Sequence, residues 1–152
     1  MMFILDTNIL SAIMGTQPVP DVAAWLAGQQ EDLLFTAAIC EAEILSGLAI
    51  TPEGRRRRDL EAAARAMFTD DFMGRVLPFD TAAAGAYADI FATRRRSGLP
   101  TATLDLMIAA VARANGASVV TRNTAGFDGC GLTLINPWQA ARPSGSPTPS
   151  KN

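Results

Sequence analysis

A chain of 152 residues, 49% hydrophobic and 18% charged, is long enough to bury one full core and too apolar to be disordered. It contains no histidine. That excludes Ser-His-Asp and Cys-His nucleophile activation, histidine-ligated zinc and imidazole acid–base catalysis, so any chemistry must rest on carboxylates, hydroxyls, arginine or a hard cation held by oxygen. The net charge of −2 offers no general basic field to a nucleic acid, but positive charge is concentrated in two arginine runs, 55–58 and 94–96.

Residues 3–5 read as a first strand, and the apolar run ends at Asp6. It is too short for a secretory leader, and nowhere does the sequence approach the ~20 apolar residues of a membrane span, so a cytoplasmic protein is expected. A helical segment is predicted over 21–28, a strand over 33–36, and Ala- and Leu-rich helical segments over 38–50 and 54–73. A third strand over 75–77 stops at Pro78. Asp80 and Thr81 can cap a helix over 81–97 that ends at Ser97-Gly98-Leu99-Pro100. A helix over 103–115 closes at Asn115-Gly116, and strands over 118–121 and 132–135 complete five. Cys40 and Cys130 are isolated, with no CxxC spacing, which argues against a disulfide framework or a thiolate zinc site.

Strands that are continuous apolar runs, alternating with helices, predict a mainly parallel five-stranded sheet covered on both faces, an α/β three-layer fold. The predicted domain spans 1–140. Residues 141–152, rich in Pro and Ser, are expected to be a disordered tail.

In such a sheet, ligands bind beyond the carboxyl ends of the strands, where strand order reverses. Asp6 follows the first strand directly and is placed to hold a cation there, or to cap the next helix. Glu43 has Ile39, Cys40, Ser46 and Gly47 as helical neighbours, an apolar or small face on which a carboxylate needs compensation. Glu41 makes a similar case from nearly the opposite face, and periodicity does not choose between the two. Asp105 has Ala102, Ile108 and Ala109 beside it and no basic partner, although a first-turn Asp also suits the helix dipole. Asp128 lies in a glycine-flanked turn. Together these residues suggest a hard-cation site for Mg²⁺ or Mn²⁺, with Thr7, Asn8, Thr121 and Asn123 as supporting hydrogen-bond groups. A cation held there would activate water for phosphodiester hydrolysis.

Phe3-Ile4-Leu5-Asp6-Thr7-Asn8, then Ala42-Glu43-Ile44-Leu45 with Leu48, then Asp105 with Ile108-Ala109-Ala110, then Thr121-Arg122-Asn123, resemble PIN-domain ribonucleases in order and spacing over residues 2–138. The run from Glu53 to Arg58, the segment from Gly74 to Asp80 and the closing Asn136-Pro137-Trp138 are similar to the FitB-like branch of VapC-type toxins. The resemblance implies a PIN-like fold and a Mg²⁺- or Mn²⁺-dependent endoribonuclease, the toxin of a toxin–antitoxin pair. It further implies a homodimer silenced by a cognate antitoxin, RNA as substrate, a larger toxin–antitoxin assembly, and DNA contacted only through the antitoxin. It carries metal binding onto Asp6 and Asp105 and selects Glu43 over Glu41. The chain departs from the family at Gly126, where an Asp usually precedes the Phe; Asp128 is the candidate replacement.

Arg55 and Arg57 can pair with Asp59 and Glu61 as a solvated helix face, whereas Arg55, Arg58 and Arg122 are candidate phosphate contacts. Leu45, Leu48, Ile50, Met67, Phe68 and Phe72 read as core or partner-facing, and Trp25 and Trp138 as packed aromatics. An aspartyl-phosphate phosphatase would need an acid two residues after Asp6, where Asn8 stands, and a late-domain Lys, whereas the sole Lys is Lys151. A PIN-like protein that only binds a partner or assists an antitoxin on DNA is the non-enzymatic alternative.

Overall fold

The computed structural model describes residues 1–140; the predicted tail, 141–152, lies outside the described residues. Five short strands form one sheet in the order β3-β2-β1-β4-β5. They are β1 (Phe3–Leu5), β2 (Leu34–Ala37), β3 (Val76–Leu77), β4 (Ser118–Val120) and β5 (Leu134–Ile135). Every pairing is parallel, with Phe3 opposite both Leu34 and Ser118, and Leu5 opposite Val120. The sheet anticipated as mainly parallel is therefore wholly so. β1 and β4 are buried along their whole length, as strands covered on both faces must be.

The helices are α1 (Thr7–Met14), α2 (Pro20–Ala27), α3 (Ala38–Ala49), α4 (Arg55–Ala66), α5 (Thr81–Arg96), α6 (Thr103–Ala114) and α7 (Pro137–Ala140). β1, β2 and β3 advance toward one edge, and the chain then crosses back over them to β4. With right-handed crossovers, that reversal sends α1–α4 and α5–α6 to opposite faces and leaves a crevice between the carboxyl ends of β1 and β4. Trp25 stands edge-on against Phe3, ring centroids 5.2 Å apart, and extends the core under α2.

Helix ends follow their local chemistry. Asp80 Oδ1 accepts from the Ala83 amide at 3.0 Å and caps α5. α6 ends in a left-handed Gly116, with the Ala117 amide bonding back to the Ala112 carbonyl at 2.9 Å. The segment anticipated as one helix over 54–73 is α4 followed by a wider π-type turn at Met67–Asp71. α1, which starts directly behind Asp6, adds a helix to the five predicted segments. Both cysteines are free and buried. No helix among the described residues is long and apolar enough to cross a membrane.

Candidate active site

Asp6 ends β1 at the centre of the sheet and is only 5% exposed. It is also the N-cap of α1: its carbonyl accepts from the Ile9 and Leu10 amides, and its Oδ1 accepts from the Thr7 amide at 2.8 Å. Capping and site placement are thus properties of one residue rather than rival accounts of it. Oδ2 accepts from Thr121 Oγ1 at 2.7 Å, across the crevice, and from Asn8 Nδ2 at 3.4 Å.

Thr121 and Asn8 lock the crevice together. Thr121 Oγ1 also accepts from Asn8 Nδ2 at 3.2 Å and from the Asn123 amide at 3.1 Å, while Asn8 Oδ1 accepts from the Arg122 amide at 3.2 Å. The ends of β1 and β4 are therefore held by side chains as well as by the sheet. Of the four polar residues anticipated there, Thr7, Asn8 and Thr121 enter this network through their side chains and Asn123 only through its backbone amide.

Thr7 brings in the second carboxylate. Its Oγ1 donates to Glu43 Oε1 at 3.0 Å, so Thr7 bonds Asp6 through its backbone and Glu43 through its hydroxyl. Glu41 instead lines a separate cavity with Arg57 and Arg65 on the far side of α3. Geometry thus separates the two glutamates that helical periodicity left equal.

Asp105 enters from the first turn of α6. Burial raises the pKa of Asp6 above 3.8, opposed by its hydrogen bonds to Thr121 and Thr7 and reinforced by repulsion from Asp105. Burial also raises Glu43 above 4.5, with the charges of Asp6 and Asp105 adding to the effect. Asp105 is raised by burial and partly relieved by the Arg94 guanidinium. Beneath the site, burial and the charge of Asp6 push the Cys40 thiol up to about 12, which keeps it protonated and inert.

The fourth corner is a glycine. A Cβ at Gly126 would lie 3.0 Å from Asp105 Oδ2 and 3.1 Å from Asn123 Nδ2, so the backbone itself borders the site. Asp128 is exposed on the following turn, and its backbone carbonyl accepts from Arg94 Nη1. The structure does not bring Asp128 into the carboxylate set.

Of the candidate arginines, Arg122 lies beside the crevice with its guanidinium 4.8 Å from the Trp138 ring centre. Arg57 pairs with Glu61 at 2.7 Å, as helical spacing predicts. Arg58 lines a cavity with Glu53 and Glu61, away from the carboxylates. Two arginines were not singled out by the sequence. Arg56 lines the cavity that contains Thr7 and Glu43. Arg94, 2% exposed, donates from Nε to the Pro100 carbonyl at 2.8 Å and from Nη1 to the Asp128 carbonyl, tying the approach to α6 to the turn after Gly126.

Among the described residues, no three carboxylate, thiol or imidazole groups stand close enough to close a metal cage by themselves. An all-oxygen set with one or two carboxylates in direct reach still suits Mg²⁺, which keeps water and takes substrate phosphate in its remaining positions. The Asp105 carboxylate, unlike that of Asp6, accepts no hydrogen bond from Thr7, Asn8 or Thr121.

Residues 3–129 match the PIN domain family. The chain belongs to the PIN-domain family. Within it, the chain is 40% identical over 140 residues to the VapC ribonuclease Y4jK of Sinorhizobium fredii, covering 92% of this chain and 100% of that protein. It is 34% identical over 137 residues to toxin FitB of Neisseria gonorrhoeae, covering 90% of this chain and 99% of that one. Among solved structures, FitAB bound to an IR36 DNA fragment superposes with a TM-score of 0.84 at 34% identity, covering 90% of this chain and 96% of that chain. The PIN-domain chain described here is thus of the VapC and FitB type, and its fold is theirs.

Proposed function

We propose that this PIN-domain protein is a divalent-cation-dependent endoribonuclease and the toxin of a toxin–antitoxin pair. The observation that carries the reading is that Thr7 links Asp6 to Glu43 at the crevice where strand order reverses, with Asp105 near enough for its charge to act on both. Burial raises all three pKa values, repulsion between the carboxylates adds to the rise at Asp6 and Glu43, and a bound cation would relieve that strain. The kinship to a VapC ribonuclease and to toxin FitB supports the same reading.

Asp6 and Asp105 are the residues that would hold Mg²⁺ or Mn²⁺. When bound, such an ion places positive charge against the phosphodiester and lowers the pKa of water. The chain's own groups do the rest. Thr121, Asn8 and the Thr7 amide fix the orientation of Asp6, so its carboxylate needs no reorganisation when substrate arrives. Glu43, oriented by Thr7 and partly open to solvent, is placed to accept a proton from the attacking water, and its raised pKa brings it nearer the working pH of a general base. Gly126 leaves the fourth side of the site free of side chain.

The structure of FitAB on DNA supports a cognate antitoxin as partner, with DNA reached through that partner rather than through this chain. A homodimer working in the cytoplasm completes the proposal. The test is cleavage of varied RNAs by antitoxin-free protein with Mg²⁺ or Mn²⁺ and with chelator, comparing wild type with Asp6→Ala and Asp105→Ala. Cleavage that needs the cation and falls at least about 100-fold in either variant is the expected result. RNA left intact by wild type at every cation concentration refutes the nuclease reading and leaves a partner-binding PIN protein.

A further inference from the structure

Three features lie outside the carboxylate chemistry: the buried Arg94 clamp, the cavity around Glu41 and Arg65, and a groove between α1 and α4. The groove carries an inference furthest. It consists of two adjoining cavities of about 370 and 520 Å³ that share Met14, Gly15, Arg56 and Leu60. The first opens onto Thr7 and Glu43, so the groove ends at the reacting centre. The second adds Arg55 and Asp59 further out.

Arg55 and Arg56 are exposed beside Asp59 and free to take a ligand. Among the described residues, Arg57–Glu61 is the sole ion pair, and Arg55 and Arg56 make no side-chain hydrogen bond. Both stand in the first turn of α4, which has no acidic residue to offset them. Cations at a helix N-terminus oppose the helix dipole, whereas an anion there is favoured. A phosphate between these guanidiniums and the start of α4 would satisfy both.

We infer that this groove is the track for single-stranded RNA flanking the scissile phosphate, with Arg56 gripping a backbone phosphate next to the cleavage point. This rests on the ribonuclease reading above and adds to it a residue and a direction. Sugar and base surfaces would lie against the apolar floor formed by Met14 and Leu60, and the forked guanidinium would meet a phosphate with two hydrogen bonds. Such a contact positions the strand without reading sequence. A protein segment, the other conceivable occupant, would find an unpaired cation facing it just outside the carboxylates.

The experiment uses the full-length chain freed of partner and a labelled single-stranded RNA of about 12 nucleotides, a length within the range such grooves accommodate. Cleavage is followed with Mn²⁺, and binding by anisotropy in chelator over a salt series. Arg56→Gln is expected to raise KM about 5- to 10-fold with kcat within about twofold, the pattern of lost uniform binding. It should also flatten the slope of log affinity against log salt by about 0.7, one phosphate's worth for a single strand. Arg56→Lys should recover part of the loss, and Arg65→Gln, whose cavity is elsewhere, should behave as wild type. Equal KM and slope for wild type and Arg56→Gln overturns the track, as does an equal loss in Arg65→Gln. So does a defect confined to binding a partner protein, which would assign the groove to that protein. Because the wild-type lane reports nuclease activity independently, a failure of the track is distinct from a failure of the ribonuclease reading.

Discussion

Thr121 is the residue on which the carboxylate site turns. Its hydroxyl gives its one proton to Asp6 at 2.7 Å and takes two, from Asn8 and the Asn123 amide. Thr121→Val keeps the shape and removes all three bonds in a fully buried position. We expect RNA cleavage to fall about 10- to 100-fold, the usual cost of losing a group that orients a metal ligand, and the Mn²⁺ concentration for half-activity to rise. Unchanged Mn²⁺ dependence would show that Asp6 is held well enough by Thr7 and Asn8. Gly126 makes the complementary case by sterics. The methyl of Gly126→Ala would stand 3.0 Å from Asp105 Oδ2, so one of the two must move. Displacement of a site carboxylate by a fraction of an ångström should cost about 10-fold in kcat or more, with little effect on folding. Full activity in this variant would mean that Asp105 has slack and that the bare fourth corner is incidental.

At the scale of elements, Arg94 joins pieces that are distant in sequence. A guanidinium 2% exposed with no carboxylate in an ion pair is compensated by two backbone carbonyls, Pro100 before α6 and Asp128 after the Gly126 turn. Arg94→Met would leave the Pro100 carbonyl without its arginine donor and the Asp128 carbonyl with only the Cys130 thiol, 3.9 Å away. Stability should drop by about 2–3 kcal/mol, read as a lower urea midpoint at an unchanged m-value; a midpoint equal to wild type would show that water replaces the clamp freely. Sequence could not single out this residue, because Arg94 sits in a run of three whose members are chemically alike, and only the turn of α5 sends one of them inward. The same limit applied on α4, where the run 55–58 was legible but the member facing Glu43, Arg56, was not. What was legible is equally specific. The five apolar runs fell on the five strands because a doubly covered sheet demands unbroken hydrophobicity, and Asp6 was identifiable because it ends the central strand. α1 was foreshadowed only by Asp6 as a possible cap for a following helix. Helical periodicity could not separate Glu43 from Glu41, which the family resemblance alone preferred; the hydrogen bond from Thr7, 36 residues away in sequence, gives that preference a physical basis.

Across the whole molecule, the same crowding of carboxylates that suits a cation must weaken the cation-free fold. Asp6, Glu43 and Asp105 all have pKa values raised in the folded chain, Asp6 and Asp105 from 3.8 and Glu43 from 4.5, with burial the largest cause in each. Between those ordinary values and the raised ones, the folded state binds more protons than the unfolded state. Stability therefore falls as pH rises through that window and stays reduced above it. In chelator, the melting temperature should be lower at about pH 8 than at about pH 4, near the ordinary carboxylate values. Mn²⁺ should close the gap at the higher pH, because a ligand that binds only the folded state stabilises it in proportion to the logarithm of its concentration. The double variant Asp6→Asn, Asp105→Asn separates this site from every other titrating group: its melting temperature should vary less with pH and respond little to Mn²⁺. A wild-type protein that melts equally high at both pH values in chelator would mean that the three carboxylates are already relieved by the chain itself, and the case for a resident cation would lose its physical basis.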